Sequence, residues 1–164
     1  MNFPASLTER LRFLTRVVTK ECTHLAATDS RLFTQTFTPE LALMLSNEPA
    51  GAESLEAFVS RFGRLQDTVG DKLLPALLSA LAEPIGAAID NLDKAEKLGL
   101  ITSADQWMDM RRLRNQMVHE YIEDLQILAS ALRTGHDFVP TLIGSAKRCI
   151  IEVDRLLATK PSSL

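Results

Sequence analysis

The chain has 164 residues, a formal net charge of −3, 46% hydrophobic residues, 24% charged residues and only 5% aromatics. That length fits one domain able to fold without disulfides or a structural metal. The acidic balance excludes a global positive field that would draw the protein to nucleic acid or an acidic membrane. Leu and Ala dominate, which favours helix over strand and predicts an all-α fold. Cys22 and Cys149 are too few and too far apart for a disulfide framework, so a reducing, cytoplasmic setting is expected. The N-terminus shows no basic region followed by an apolar run, and no apolar stretch approaches the roughly 20 residues of a membrane helix. A soluble protein without a membrane partner is the expectation.

Ser6-Leu7-Thr8-Glu9 has the spacing of a capping box, and predicts a helix start. Leu11, Leu14, Val18, Cys22 and Leu25 then recur at helical spacing to about Ala27. Leu32 to Phe37 reads as an irregular connector. Thr38-Pro39-Glu40 predicts a capped short helix that stops at Asn47-Glu48-Pro49. Ala50-Gly51-Ala52 reads as a linker before the longest helical pattern, from Ser54 through Phe58, Phe62, Leu65, Val69 and Leu73. Pro75 inside that pattern predicts a kink between Gly70 and Pro75, and Pro84-Ile85-Gly86 a second break.

Ile89, Leu92, Ala95, Leu98 and Leu100 outline a further helix with Gly99 as its C-terminal cap. Ser103-Ala104-Asp105-Gln106 is a second capping box. It opens a helix whose apolar stripe is Trp107, Met110, Leu113 and Met117, and Trp107 with the Met108, Met110 and Met117 group is read as core or dimer contact. The helical pattern resumes after a break near His119 to Tyr121. Thr134 to Asp137 reads as a turn before the last helix, and residues 158–164 as a frayed tail. The sum is an up-and-down bundle of four or five helices forming one domain over 1–164.

The chemistry concentrates in Arg111-Arg112-Leu113-Arg114-Asn115-Gln116-Met117-Val118-His119-Glu120-Tyr121. Five residues of regular helix separate Arg114 from His119 by roughly 140°. Either the helix bends near Val118 to Glu120, or a second copy of the chain completes the site across a two-fold axis. RNA carries its own nucleophile, the 2′-hydroxyl, so its cleavage needs only a proton carrier and a cation on the phosphate. An unperturbed imidazole such as that of His119 titrates near pH ~6.5 and suits the first role. The planar guanidinium of Arg114 suits the second. Asn115 is placed to orient the histidine or to bond the substrate backbone.

Arg114-Asn115-Gln116-Met117-Val118-His119-Glu120-Tyr121 resembles the Arg-x4-6-His motif of the HEPN superfamily. In its extended form it is similar to that of HepT-like toxins paired with minimal nucleotidyltransferase antitoxins. Arg61-Phe62-Gly63-Arg64-Leu65-Gln66-Asp67 also resembles the second-helix region of nucleotidyltransferase-associated HEPN proteins. The resemblance implies a helical homodimer with two motifs in an intersubunit cleft, acting as a metal-independent RNA endonuclease without a cofactor. It implies Arg114 and His119 as the catalytic pair, Asn115 as the polar residue beside them, and Tyr121 as the tyrosine the antitoxin modifies with adenylyl groups. The plainer alternatives are a solvated helix on which Arg114 pairs with Asp109 or Glu120, with Tyr121 as a packing residue. A different class of reading is a non-catalytic helical module that binds a nucleotidyltransferase. Carboxylates outnumber the arginines around the motif, so RNA contacts are also sought at Arg61 and Arg64. His24 and His136 lack partners at metal-ligand spacing.

Overall fold

The computed structural model describes residues 4–120 and 124–159, and every regular element in them is helical. Helix α1 (Ala5–Leu32) begins directly after Pro4, whose carbonyl accepts from the Leu7 and Thr8 amides at 3.0 and 3.2 Å. Ser6 therefore lies inside the first turn and makes no cap, so the capping box expected there does not form. The helix also runs past Ala27, because Leu25, Thr28 and Leu32 continue its buried stripe. Thr38 caps α2 (Pro39–Ser46) by accepting from the Leu41 amide at 3.2 Å, as its sequence predicts. The supposed linker Ala50 to Ala52 is instead the first turn of α3 (Pro49–Asp67), with Pro49 supplying the helical φ at its start.

The predicted disturbance before Pro75 takes the form of a π-helical segment (Thr68–Leu73) that joins α3 to α4 (Leu74–Ala80). Pro75 cannot donate to the carbonyl four residues back, and the backbone widens so that Leu74 donates to Val69, five back. The rod ends earlier than Pro84, in a Schellman turn with Glu83 donating to Leu78 at 2.9 Å and Ala82 at φ 59°. Helix α5 (Ala88–Lys97) closes on Gly99 at φ 72°. Leu92, Ala95 and Leu100 are buried, whereas Ile89 and Leu98 face outward, since α5 is a short cover packed chiefly on α4, the π segment and α6.

Helix α6 (Ala104–Glu120) starts where Ser103 accepts from the Gln106 amide at 3.2 Å. Its stripe of Trp107, Met110, Leu113 and Met117 enters the core. Helix α7 (Leu125–Ala158) is capped by Asp124, which accepts from the Gln126 and Ile127 amides. It passes without a break through Thr134 to Asp137, overturning the turn expected there. Gly135 is the reason: it is buried at a helix crossing where an added Cβ would lie 3.3 Å from the Phe58 ring and 3.4 Å from the Met117 sulfur. There the glycine serves close packing, and His136 fixes the same turn to α1 by a 2.7 Å contact with Asp29. Ala158 is the last residue of α7; the remainder of the expected tail, 160–164, lies outside the described residues.

Among the described residues six helical rods result, counting α3, the π segment and α4 as one. The four longest form a closed ring: α1 against α3, α3 against α6, α6 against α7 and α7 back against α1. One continuous apolar cluster fills it, so the chain is a helical bundle around one core.

A cationic cleft between α3, the π segment and α6

Helix α6 lays Arg114 across α3 at Gly63, where α3 has no side chain. A Cβ on Gly63 would stand 2.9 Å from Arg114 Nε and 3.0 Å from its Cγ. Glycine inside a helix costs roughly 0.5–1 kcal/mol relative to alanine, and here it admits the guanidinium arm. One turn further along α3, Asp67 Oδ2 forms an ion pair with Arg114 Nη2 at 3.1 Å, with both side chains a little over one-third exposed. Arg114 thus pairs with Asp67 across the seam and not with Asp109 of its own helix, while the Glu120 side chain lies outside the described residues. Asp109 instead pairs with Arg112, and Arg111 with Asp71.

The arginine projects into an open cleft of about 580 Å³ whose walls include Gly63, Arg64, Asp67, Thr68, Lys72 and Val118, with buried Met117 among its lining residues. A second hollow of about 560 Å³ shares Asp67, Lys72 and Arg114 with the first and adds Asp71, Arg111 and Asn115. Together they make one groove along the α3–α6 seam, bridged by the Arg114–Asp67 pair. Behind it, Thr68 donates to Glu21 Oε1 at 3.0 Å, while the other Glu21 oxygen is buried without a partner. Burial pushes the Glu21 carboxyl above its ordinary value, against the hydrogen bond from Thr68 and the nearby charges of Arg64 and Lys72.

His119 lies elsewhere. It is exposed, lines neither hollow, and sits five residues beyond Arg114 on a helix that stays regular to Glu120. The structure therefore brings Arg114 and Asn115 to one groove and sends His119 roughly 140° away around α6. Tyr121 lies outside the described residues. Arg61 lies outside this groove: its Nη1 donates to the Thr28 hydroxyl and, at 3.3 Å, to the His24 carbonyl, and it lines a separate hollow beside α2. Cys22 and Cys149 are buried free thiols, pushed up by burial to about 11 and about 12. Neither is a nucleophile near neutral pH. Among the described residues, no three His, Cys, Asp or Glu side chains are grouped to hold a metal ion, and no helix is long and apolar enough to cross a membrane.

Sequence reasoning missed Gly63 and Asp67 as partners of Arg114, and Thr68 and Lys72 as cleft residues. The available signal was Gly63 in the middle of a strong helical pattern, a costly residue there unless another group must come close. No family model matches the chain, and no curated protein or solved structure matches it either.

Proposed function

We propose that the protein is a HEPN-type endoribonuclease toxin, acting without a metal and held in check by a minimal nucleotidyltransferase antitoxin. The observation that carries this reading is the seating of Arg114 by Gly63 and Asp67 at an open cationic cleft, with Asn115 and His119 exposed on the adjoining turns of the same helix. The regular course of α6 through the motif argues against a bend that would unite Arg114 with His119 within one chain. It supports the two-copy alternative, in which α6 helices of a homodimer face each other and each His119 serves the groove of its partner.

In that site Arg114 holds the scissile phosphate and His119 carries a proton. The 2′-oxygen attacks phosphorus as its proton leaves to a base, the P–O5′ bond breaks, and the departing 5′-oxygen is protonated. The products are a 2′,3′-cyclic phosphate and a 5′-hydroxyl. Adenylylation of Tyr121 would add bulk and negative charge beside a site that must admit phosphate. The test is cleavage of single-stranded RNA by the purified chain. His119→Ala should slow it by about 10²- to 10⁴-fold, the usual worth of a positioned acid or base. Unaltered cleavage in that variant, or none by the wild type, overturns the proposal.

One observation favours the second reading, a non-catalytic module that binds a nucleotidyltransferase. Arg111, Arg112 and Arg114 each have a carboxylate partner already, as expected of a surface built for assembly. Stable co-purification with the nucleotidyltransferase, without RNA cleavage or a mass gain at Tyr121, would select it.

A further inference from the structure

Of the cations along the groove, Arg111 and Arg114 are paired with Asp71 and Asp67, while Arg64 and Lys72 are exposed and have no carboxylate within 4.0 Å among the described residues. We infer that Arg64 and Lys72 form a second, non-catalytic subsite that grips the phosphodiester backbone of single-stranded RNA beside the Arg114 position. The ligand class rests on the ribonuclease reading; the subsite itself rests on the following geometry.

Eight residues of uninterrupted α-helix would turn Lys72 roughly 80° away from Arg64. The π segment places an additional residue in one turn between them, which cancels most of that rotation. Arg64, Thr68 and Lys72 line the same cleft on a single flank of the rod, at i, i+4 and i+8 positions that the wide turn draws closer into line. Wide turns of this kind recur at functional sites, and this one aligns two unpaired cations. Over both hollows four cations, Arg64, Lys72, Arg111 and Arg114, meet three carboxylates, Glu56, Asp67 and Asp71. The groove is locally positive in a chain whose net charge is −3. Two adjoining open hollows that share Asp67, Lys72 and Arg114 leave room for successive phosphates.

The experiment is fluorescence anisotropy of the full chain with a fluorescein-labelled single-stranded RNA carrying 2′-O-methyl groups throughout, titrated at several salt concentrations. The methyl groups remove the nucleophile, so binding is read without cleavage. Each single-strand phosphate contact contributes a slope of about −0.7 to the dependence of log affinity on log salt. Arg64→Gln and Lys72→Gln should each remove about one such unit, weakening binding about 8-fold at ~50 mM salt and converging with wild type near 1 M. Lys147→Gln, on α7, should leave the slope unchanged. Wild-type affinity and slope in both variants overturn the inference. So does displacement of the RNA by millimolar inorganic phosphate to the same extent at every RNA length, which would mark a small-anion site. The two readings fail separately. Loss of binding in the variants without any cleavage of natural RNA by wild type would defeat the ribonuclease alone. His119-dependent cleavage with unchanged binding in the variants would defeat the subsite alone.

Discussion

Gly63→Ala separates the stability of the bundle from the positioning of Arg114. The new methyl would stand 3.0 Å from Arg114 Cγ and 2.9 Å from Nε. Optimal carbon separations are about 3.5–4.0 Å, so the arginine must withdraw by roughly 0.5–1 Å or change rotamer. Its guanidinium is partly exposed and can move outward. The losses are then the Asp67 pair, about 0.2–1 kcal/mol for an exposed ion pair, and an off-rotamer cost of about 0.5–1.5 kcal/mol. Replacing glycine within a helix returns about 0.5–1 kcal/mol. Net stability should therefore fall by no more than about 2 kcal/mol, or about 4–8 °C in Tm for a chain of this size. If Arg114 holds the scissile phosphate, a displacement of about 1 Å should slow RNA cleavage by about 10²-fold. Thermal denaturation and single-turnover cleavage would be measured side by side, with Glu53→Ala on the same helix as control. A Tm loss beyond about 10 °C would refute the claim that Arg114 yields, and undiminished cleavage would refute its role in positioning phosphate.

Two further outcomes follow from the backbone and from the buried carboxyl. Ala82 is held at φ 59° in the turn after α4, a conformation that costs a residue bearing a Cβ about 1–2 kcal/mol; Ala82→Gly should raise Tm by a few degrees, and a fall would show that the turn is not the strained point. Glu21 binds its proton more tightly folded than unfolded, because burial raises its pKa above 4.5. Its favourable contribution is present below that value and is lost as pH rises through the higher folded value. Glu21→Gln should thus be more stable than wild type at pH 7 and lose that advantage toward pH 4; chemical denaturation at the two pH values reads the difference, and an advantage that grows on acidification would contradict it.

The sequence by itself determined the helical class and much of the punctuation. Thr38 and Ser103 mark helix starts, Gly99 marks a helix end, and the stripe of Trp107, Met110, Leu113 and Met117 faces inward as its spacing requires. These are local effects: a side-chain cap, a left-handed residue and a 3.6-residue period depend on neighbours within a turn or two. The tertiary structure alone decided the rest. Gly135 looks like a turn residue until Phe58 and Met117 are seen against it, and Arg114 looks free or paired along its own helix until Gly63 and Asp67 are brought beneath it. Each of those pairings joins residues on different helices, 18 or more positions apart. Which glycine serves close approach, which arginine is already neutralised and which cation still faces a ligand are questions of helix crossing, and a one-dimensional period carries no information about where two helices cross.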